Sequence, residues 1–522
     1  MERINNEYDI FPKNWCEVDI KSVALKITDG SHNPPKKQAS GFPMLSARNI
    51  QNNKINFDNI RYIDEISFKK EYARANVEEG DVLLTIVGTI GRSAIVKERI
   101  QKFTLQRSVA LIKPCLVDSQ FLSYSFQEPC FQRNLFKNAK GTAQKGIYLK
   151  TLSSLKICLA PLAEQRRIVA KIEELFSELD KGIESLKTAQ QQLKIYRQAV
   201  LKWSFEGKLT AEWREQQQKA GTLESAETLL ENIKIEREKR YQQQLEEWKE
   251  KVKVWEDNGK EGKKPSKPRK SKETPPLSDT GIDNSTKLPV GWKWTYLQQL
   301  SKDITDGDHQ APPKADNGIP FIVISNIKNN KVDFSTTKFV PIQYFQTLKE
   351  NRVPKKGDIL YTVTGSFGIP SLIDYDKKFC FQRHIALIRL ENFINKRFIF
   401  YLLQSGIVDI QARKVATGTA QKTVPLSGLR SFSIPLCTQK EQDQIVQEIE
   451  SRFSICDQLE ATIKDNLEKS EALRQSILKR AMTGKLVPQD PNDEPAELLL
   501  ERIKQEKAGL KNQVKQLKLE TC

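Results

Sequence analysis

Two short loops carry the side chains best suited to chemistry, and each loop occurs twice in the chain. Gly-Thr-Ala-Gln-Lys spans residues 141–145 and recurs at 418–422, and a Gln-Arg pair at 106–107 recurs at 382–383. Lysine and arginine cations suit phosphate groups, while arginine and glutamine suit the edges of nucleic-acid bases. We therefore predict a set of DNA-contacting residues, which comprises Gln106, Arg107, Gln144, Lys145, Gln382, Arg383, Gln421 and Lys422, together with Arg92, His32 and His309.

A third repeated loop supports this interpretation. The pattern Thr-x-x-Gly-x-x-Gly spans residues 85–91, directly before Arg92, and recurs at 362–368. Small residues let a backbone approach a ligand closely. Because both copies share these loops, they suit common backbone contacts, and divergent surface loops would then read sequence. The alternative, that the glycine-rich loops are only tight turns, is about equally compatible with the sequence.

The histidines offer a weaker case for catalysis. The chain has three, and two of them, His32 and His309, end matching Ile-Thr-Asp-Gly-x-His sequences. Either imidazole could serve as a general base. The sequence supplies no accompanying nucleophile or set of metal ligands, which favours a loop-fixing hydrogen bond or a DNA contact. We predict no catalytic residue and no metal site.

Two enzyme motifs are matched only in part by the sequence. Residues 33–36 read Asn-Pro-Pro-Lys, whereas amine-methylating enzymes carry an aromatic residue at the fourth position to stack on a flipped base. The second copy, at 311–314, reads Ala-Pro-Pro-Lys. Gly-Lys pairs at 207–208 and 484–485 precede leucine, so the sequence lacks a phosphate-binding Gly-Lys-Ser/Thr loop.

Composition points to a polyanionic partner. The 84 Lys and Arg residues against 66 Asp and Glu give a formal charge of +18, which favours nucleic acid first and an anionic membrane second. No apolar run approaches the roughly 20 residues of a membrane span, and we expect neither a membrane partner nor a signal peptide. The eight cysteines form no Cys-x-x-Cys pair, so we expect a cytoplasmic protein without a disulfide framework.

The loops belong to a long internal repeat. Glu164–Leu209 recurs 277 positions later as Glu441–Leu486, with 17 of 46 positions identical. Apolar residues follow at steps of four and three, a seam typical of paired helices; in the first copy they are Ile168, Ile172, Leu175, Leu179, Ile183 and Leu186. About 44 helical residues would span roughly 65 Å. We predict two long antiparallel helices; the alternative is two unrelated core helices, each within its own domain.

The offset of 277 positions also relates the residues outside these helices. It predicts that residues 1–160 and 289–437 are two copies of one mixed α/β (α+β) domain, with short strands separated by turns rich in Gly, Asn, Asp and Pro. Helical pieces are expected near 120–136 and 396–415. Residues 259–276 hold seven Lys or Arg and two Glu among Pro and Gly, typical of a flexible basic linker.

These motifs together resemble the specificity subunit of type I restriction-modification systems. The residues that carry the resemblance are Leu-Pro-x-Gly-Trp at 288–292, both Ile-Thr-Asp-Gly-x-His loops, both Gly-Thr-Ala-Gln-Lys loops, and the entry to the first helix at 161–169 with its Gly-Lys-Leu ending. The resemblance implies two tandem target-recognition domains separated by two long helices in an antiparallel coiled coil. It implies target-recognition domain 1 at 1–160, a conserved helical region at 161–235, a charged helix and linker at 236–288, target-recognition domain 2 at 289–437, and a second helical region at 438–522.

The resemblance also implies a function. Such a subunit would bind a bipartite site in double-stranded DNA and would join two methyltransferase subunits and the restriction/translocase subunits. It would carry no cofactor, and S-adenosylmethionine and ATP would be bound by those partners. Two other functions stay open from the sequence: a self-contained methyltransferase or nuclease, and a coiled-coil scaffold that does not read DNA.

Overall fold

The computed structural model describes residues 11–51, 53–97, 101–141, 145–268, 270 and 287–520. The chain forms two compact units, of which the first contains residues 1–188 and 463–522 and the second contains residues 189–462. Each unit combines one mixed α/β domain with one end of each long helix. The predicted fold class is therefore confirmed, while the five predicted segment bounds stay predictions.

The α/β domain of the first unit is built from short strands and helices. Its strands are β1 (Cys16–Asp19), β2 (Ala24–Asp29), β3 (Phe42–Leu45), β4 (Ile50–Gln51), β5 (Lys54–Ile55), β6 (Arg61–Ile63), β7 (Val82–Thr85), β8 (Ser93–Ile95), β9 (Thr104–Leu105), β10 (Val109–Pro114) and β11 (Lys156–Leu159). Its helices are α1 (Ile20–Val23), α2 (Glu65–Ala75), α3 (Ser119–Gln127), α4 (Pro129–Asn138) and α5 (Leu149–Ser153).

A four-stranded antiparallel sheet, in the order β2-β10-β7-β8, forms the centre of this domain. Every residue of β7 is buried, as are the first four of β10, because these inner strands are covered on both faces. A second sheet, β6-β3-β9, lies beside it, with β3 and β9 parallel. Strand β1 pairs with β11 so that Cys16 faces Leu159, which brings the entry of the domain next to its exit into the long helix.

Three helices follow the first domain: α6 (Leu162–Phe205), α7 (Ala211–Lys219) and α8 (Ala226–Asp257). The strands of the second domain are β12 (Lys293–Tyr296), β13 (Ser301–Asp306), β14 (Ile319–Ile322), β15 (Ile327–Lys328), β16 (Lys331–Val332), β17 (Lys338–Val340), β18 (Ile359–Thr362), β19 (Pro370–Leu372), β20 (Cys380–Phe381), β21 (Ile385–Leu390) and β22 (Ser433–Leu436). Its helices are α9 (Leu297–Leu300), α10 (Ile342–Thr347), α11 (Lys396–Leu402), α12 (Gly406–Val415) and α13 (Leu426–Arg430), and α14 (Gln439–Met482) and α15 (Ala496–Glu520) complete the chain.

The second domain repeats the topology of the first. Its main sheet runs β13-β21-β18-β19 and its second sheet β17-β14-β20, with β12 paired to β22. The helical pieces predicted near 120–136 and 396–415 are each a pair of helices. In the first pair the break falls at Glu128, because Pro129 opens α4 and Glu128 caps it by accepting from the Phe131 amide at 2.8 Å.

The two 44-residue helices are antiparallel. In the core of the first unit, Ile168 and Ile172 from the start of α6 share a cluster with Leu478 and Met482 from the end of α14. The core of the second unit holds the reverse pairing, in which the last turns of α6 lie with the first turns of α14; its members include Val200, Leu201, Phe205, Ile445 and Ile449. The predicted antiparallel pairing of the repeats is confirmed.

Equivalent ion pairs join the helices in both units. In the second unit the Arg197 guanidinium contacts Asp457 at 2.5 Å and stacks on the Phe453 ring at 4.9 Å. In the first unit Arg474 contacts Asp180 and lies 4.4 Å from the Phe176 ring. These six residues correspond across the 277-position repeat, so one cross-helix contact is built twice. The stacked arginines restrict sliding of the helices, because each guanidinium matches both a ring and a carboxylate.

Candidate nucleic-acid interface

The repeated His loop of the first domain is fixed by a buried carboxylate. Asp29, at the end of β2, accepts from Arg74 Nη2 at 2.8 Å and lies 2.7 Å from His32 Nε2. The Asp29 side chain is 9 % exposed, whereas that of His32 is 57 % exposed. The Nε2 edge of the imidazole is therefore held by Asp29, as expected for a loop-fixing contact, and the rest of the ring is open to a ligand.

Gly30 lets this loop lie against the Gln-Arg loop. A Cβ at Gly30 would fall 1.9 Å from the Leu105 carbonyl oxygen, a distance that no side chain can adopt. The Ser31 amide donates to that same carbonyl at 2.8 Å, and the Arg107 amide donates to Ser31 O at 3.0 Å. The glycine in the repeated motif is thus required by close backbone contact between the two loops.

The loops of the first domain surround a shallow cavity of about 320 Å³. Its lining includes His32, Gln106, Arg107 and the glycine-rich loop at Gly88, and it also includes Arg48. Arg107 is exposed and Gln106 is half-buried, so cationic and amide donors converge at one opening. Arg48 is not among the predicted contacts, because its counterpart in the repeat is Ser325 and the two copies therefore share no cation at this position.

The glycine-rich loop also holds the Gly-Thr-Ala-Gln-Lys loop. The Gly88 amide donates to the Lys145 carbonyl at 3.1 Å, and the Lys145 side chain is exposed. Residues 142–144, and with them Gln144, lie outside the described residues. Arg92 is exposed but turns its guanidinium toward the Ile50 carbonyl at 3.4 Å, and it is not among the residues that line the cavity.

The second domain repeats the geometry of the first. His309 Nε2 lies 2.9 Å from Asp306 Oδ2, and Arg352 lies 3.5 Å from the same carboxylate. A Cβ at Gly307 would fall 2.0 Å from the Phe381 carbonyl oxygen. The Gly365 amide donates to the Lys422 carbonyl at 2.9 Å, and the side chains of Gln421 and Lys422 are exposed.

The two domains differ at the residue after the Gln-Arg pair. His384 occupies this position in the second domain, and it contacts Gln382 through Nδ1 and Arg383 through Nε2, the latter at 3.3 Å. Because a neutral imidazole accepts at one nitrogen only, His384 can accept from just one of these two donors at a time. Burial and the nearby Arg383 lower the pKa of His384, which favours this neutral form.

In the first domain the matching residue is Ser108, which accepts from the Ala47 amide at 3.0 Å; Arg107 and Arg383 are both exposed. The second domain also adds Tyr344, whose hydroxyl donates to Asp308 at 3.1 Å. Burial and that carboxylate raise the pKa of Tyr344 to about 12. The loops that the two domains share are therefore surrounded by different side chains in each domain.

Each domain is anchored to the long helices through a buried glutamate. Trp15 Nε1 donates to Glu164 of α6 at 2.9 Å, and Trp292 Nε1 donates to Glu441 of α14 at 2.8 Å. Both carboxylates are buried. The tryptophan near each domain entry thus fixes the adjacent helix start, and the shared loops project from a domain that is tied to both helices.

The described residues hold no group of three or more His, Cys, Asp or Glu side chains that could bind a metal ion. None of the described helices is long and apolar enough to cross a membrane. What the interface does present is cations, amides and imidazoles on loops fixed by backbone hydrogen bonds.

The family model for the type I restriction modification DNA specificity domain matches residues 12–193 and 299–469. The EcoBI specificity subunit of Escherichia coli is 30 % identical over 240 residues, which are 45 % of this chain and 50 % of that protein. The StySPI specificity subunit of Salmonella potsdam is 22 % identical over 526 residues, which are 95 % of this chain and 96 % of that protein.

A similar fold occurs in a chain solved in work on complex assembly and conformational transition of the type I R-M system. It has a TM-score of 0.60 and 18 % identity, and the match covers 91 % of this chain and 99 % of that one. The family model, by contrast, matches more than half of the chain in two separate copies. This protein therefore belongs to the family of type I restriction modification DNA specificity domain proteins.

Proposed function

We propose that this protein is the non-catalytic DNA-recognition subunit of a type I restriction-modification complex. The observation that carries the proposal is the duplicated loop cluster, in which the His, Gln-Arg and Gly-Thr-Ala-Gln-Lys loops meet within each domain. Cationic and amide donors held by backbone hydrogen bonds are suited to a nucleic-acid duplex, since little further ordering is needed on binding.

Within each domain we assign phosphate contacts and base contacts to different loops. Lys145 and Lys422 sit at exposed positions of loops shared by both domains, so we assign them to phosphate contacts, which position a protein without reading sequence. Arg107 and Arg383, each beside a glutamine, have the donor geometry for base edges in the major groove. Gln106 and Gln382 complete the pair in each domain.

The target should consist of two unlike half-sites. His384 and Tyr344 surround the loops of the second domain, whereas Ser108 and Arg48 take part in those of the first. Different donors present different hydrogen-bonding patterns, and base pairs are distinguished by such patterns. We infer an asymmetric bipartite sequence with an unread spacer, whose length is governed by the paired helices α6 and α14.

Catalysis would be supplied by partner subunits. In this proposal two methyltransferase subunits bring S-adenosylmethionine, restriction/translocase subunits bring ATP, and this chain binds neither cofactor. Half-sites about one helical turn apart, roughly 34 Å, would lie on one face of the duplex. A cytoplasmic location remains our expectation.

Methylation mapping of DNA from cells that carry the assembled system tests the proposal. We expect methylated adenines or cytosines within two short, different sequences separated by a gap of fixed length. A single uninterrupted motif would overturn the bipartite assignment. Binding of S-adenosylmethionine by the isolated chain would overturn the non-catalytic assignment, and DNA binding that is absent or independent of salt would favour a scaffold instead.

A further inference from the structure

Helix α8 carries a stripe of apolar side chains that the duplicated domains do not explain. Its buried residues, Ala226, Leu229 and Ile233, lie in its first turns. Farther along, from 241 to 255, the half-buried side chains follow steps of four and three while the side chains between them are exposed; they are Tyr241, Leu245, Trp248, Val252 and Trp255. We call these five residues the aromatic stripe.

The covering segment is the basic stretch for which the sequence predicts a flexible linker. Residues 262–268 and 270, which we call the strap, run back along α8 in the opposite direction to the helix. Lys264 Nζ lies 5.6 Å from the centre of the Trp255 ring, and Lys267 Nζ lies 5.8 Å from that of Trp248. Lys270 Nζ lies 5.9 Å from that of Tyr241. Over its described part, the predicted linker therefore contacts three aromatic rings of α8.

Each tryptophan makes the same two contacts with the strap. Trp255 Nε1 donates to the Gly262 carbonyl at 3.2 Å while its ring faces the lysine two residues later. Trp248 Nε1 donates to the Pro265 carbonyl at 3.0 Å, and its ring again faces the lysine two residues later. The same pair of contacts therefore recurs every three residues along the strap and every seven residues along the helix. This regular recurrence indicates that the strap and α8 are aligned in a fixed register.

The two steps have nearly equal lengths. Seven helical residues rise about 10.5 Å at 1.5 Å each, and three residues of polyproline II rise about 9.3 Å at 3.1 Å each. The flexible lysine stems can absorb the difference. Pro265 and Pro268 are half-buried and also three residues apart. Because polyproline II has three residues per turn, both prolines lie on the same face of the strap, which is the face toward the helix.

We propose that the aromatic stripe of α8 is a recognition surface for a Lys-Pro-x-Lys strand, and that its ligand is this chain's own strap. Cation–π contacts to Trp and Tyr select lysine or arginine, and the two indole donors select an exposed backbone carbonyl. At the third ring, Tyr241, Lys270 also forms an ion pair with Glu238 at 2.9 Å. The stripe has the four-three spacing of a coiled-coil seam, so the strap also denies this face to another helix.

Hydrogen–deuterium exchange of the full-length protein tests this proposal. The double substitution K264Q/K267Q removes two ring contacts, and we expect exchange of the 241–257 amides to rise about fivefold or more. The matched control K260Q/K263Q makes the same charge change in the same segment, at exposed lysines that stack on no ring among the described residues. K264R/K267R should keep the wild-type exchange, because arginine also stacks on aromatic rings.

Equal exchange in the K264Q/K267Q and K260Q/K263Q proteins would overturn the proposal. Exchange protection of 241–257 that disappears when wild-type protein is diluted would overturn it too, because a second copy would then cover the stripe. Combining W248A with W255A provides a second measurement: if the strap is the ligand, adding K264Q/K267Q to this variant produces no further increase.

Discussion

The two buried glutamates that anchor the domains make unequal contacts, and this inequality predicts unequal mutational effects. Glu441 accepts from Trp292 through Oε2 and from Arg214 through Oε1, with Nη2 at 2.6 Å. Arg214 is itself buried. Glu164 accepts from Trp15 and from Gln489 Nε2 at 2.5 Å, and its second partner is a neutral amide.

Replacing each glutamate with glutamine separates these cases. In E164Q the new amide can donate to Gln489 once that residue turns its own amide. The turned amide group gives up its bond to the Gly484 carbonyl, but Gln489 is exposed and water can replace that acceptor, so the expected cost is below about 1 kcal/mol. In E441Q the new amide faces a guanidinium that cannot accept. Breaking a buried ion pair leaves Arg214 uncompensated, and the expected cost is about 3–5 kcal/mol.

Hydrogen–deuterium exchange reports both costs locally. Exchange near Trp292 should rise by two orders of magnitude or more in E441Q, since 1.4 kcal/mol is about tenfold, whereas exchange near Trp15 should change less than about fivefold in E164Q. Similar effects of the two substitutions would refute the argument from unequal partners. An E178Q substitution, at an exposed carboxylate of α6, controls for loss of one negative charge.

The pH dependence of the Glu164 contribution follows from its burial, which raises the pKa of this carboxyl. A raised folded-state pKa means that the stabilising contribution is present in full below the unfolded value, about 4.3, and is lost as pH rises through the folded value. The difference in unfolding free energy between E164Q and the wild type should therefore shift in favour of E164Q as pH rises above about 4.3. A difference that does not vary with pH would contradict this cause.

Three further predictions concern the loops. K145A and K422A should each weaken DNA binding by a similar factor for all sequences and lower the salt slope of log Kd by about one, as titrations at several salt concentrations would measure; loss confined to one base pair would assign base reading instead. H384A frees the Gln-Arg pair of the second domain, so methylation maps should show relaxed choice in one half-site only, and unchanged maps would refute a role in specificity. G30A should destabilise the first domain by several kcal/mol, because the new Cβ meets the Leu105 carbonyl oxygen; unchanged thermal unfolding would contradict the required close approach.

The repeat made much of this architecture predictable. Identical residues 277 positions apart mark groups with the same partners, as Arg197 and Arg474 do with Asp457 and Asp180. The seam at steps of four and three likewise predicted paired helices, because that spacing places apolar side chains on one face.

Other features could not be predicted from the sequence because they depend on contacts that are distant in the chain. Pro12 at the start of the first domain lies against Gly484, two residues beyond the end of α14, and only the folded chain brings them together. Arg74 and Arg352 make equivalent contacts to an aspartate, yet they are 278 positions apart and fall outside the repeat register. The lysines and prolines of the strap are typical of a flexible linker, and the sequence does not reveal that their partners are rings on a different element.

The central claim is that each domain reads its own half of a bipartite target. Methylation mapping of R107A and R383A complexes beside the wild type tests it most directly. We predict that R107A relaxes base choice in one half-site, that R383A relaxes base choice in the other, and that the spacer stays the same in both. Relaxation of the same bases by both substitutions, or a uniform loss of methylation without any change in sequence preference, would contradict the account.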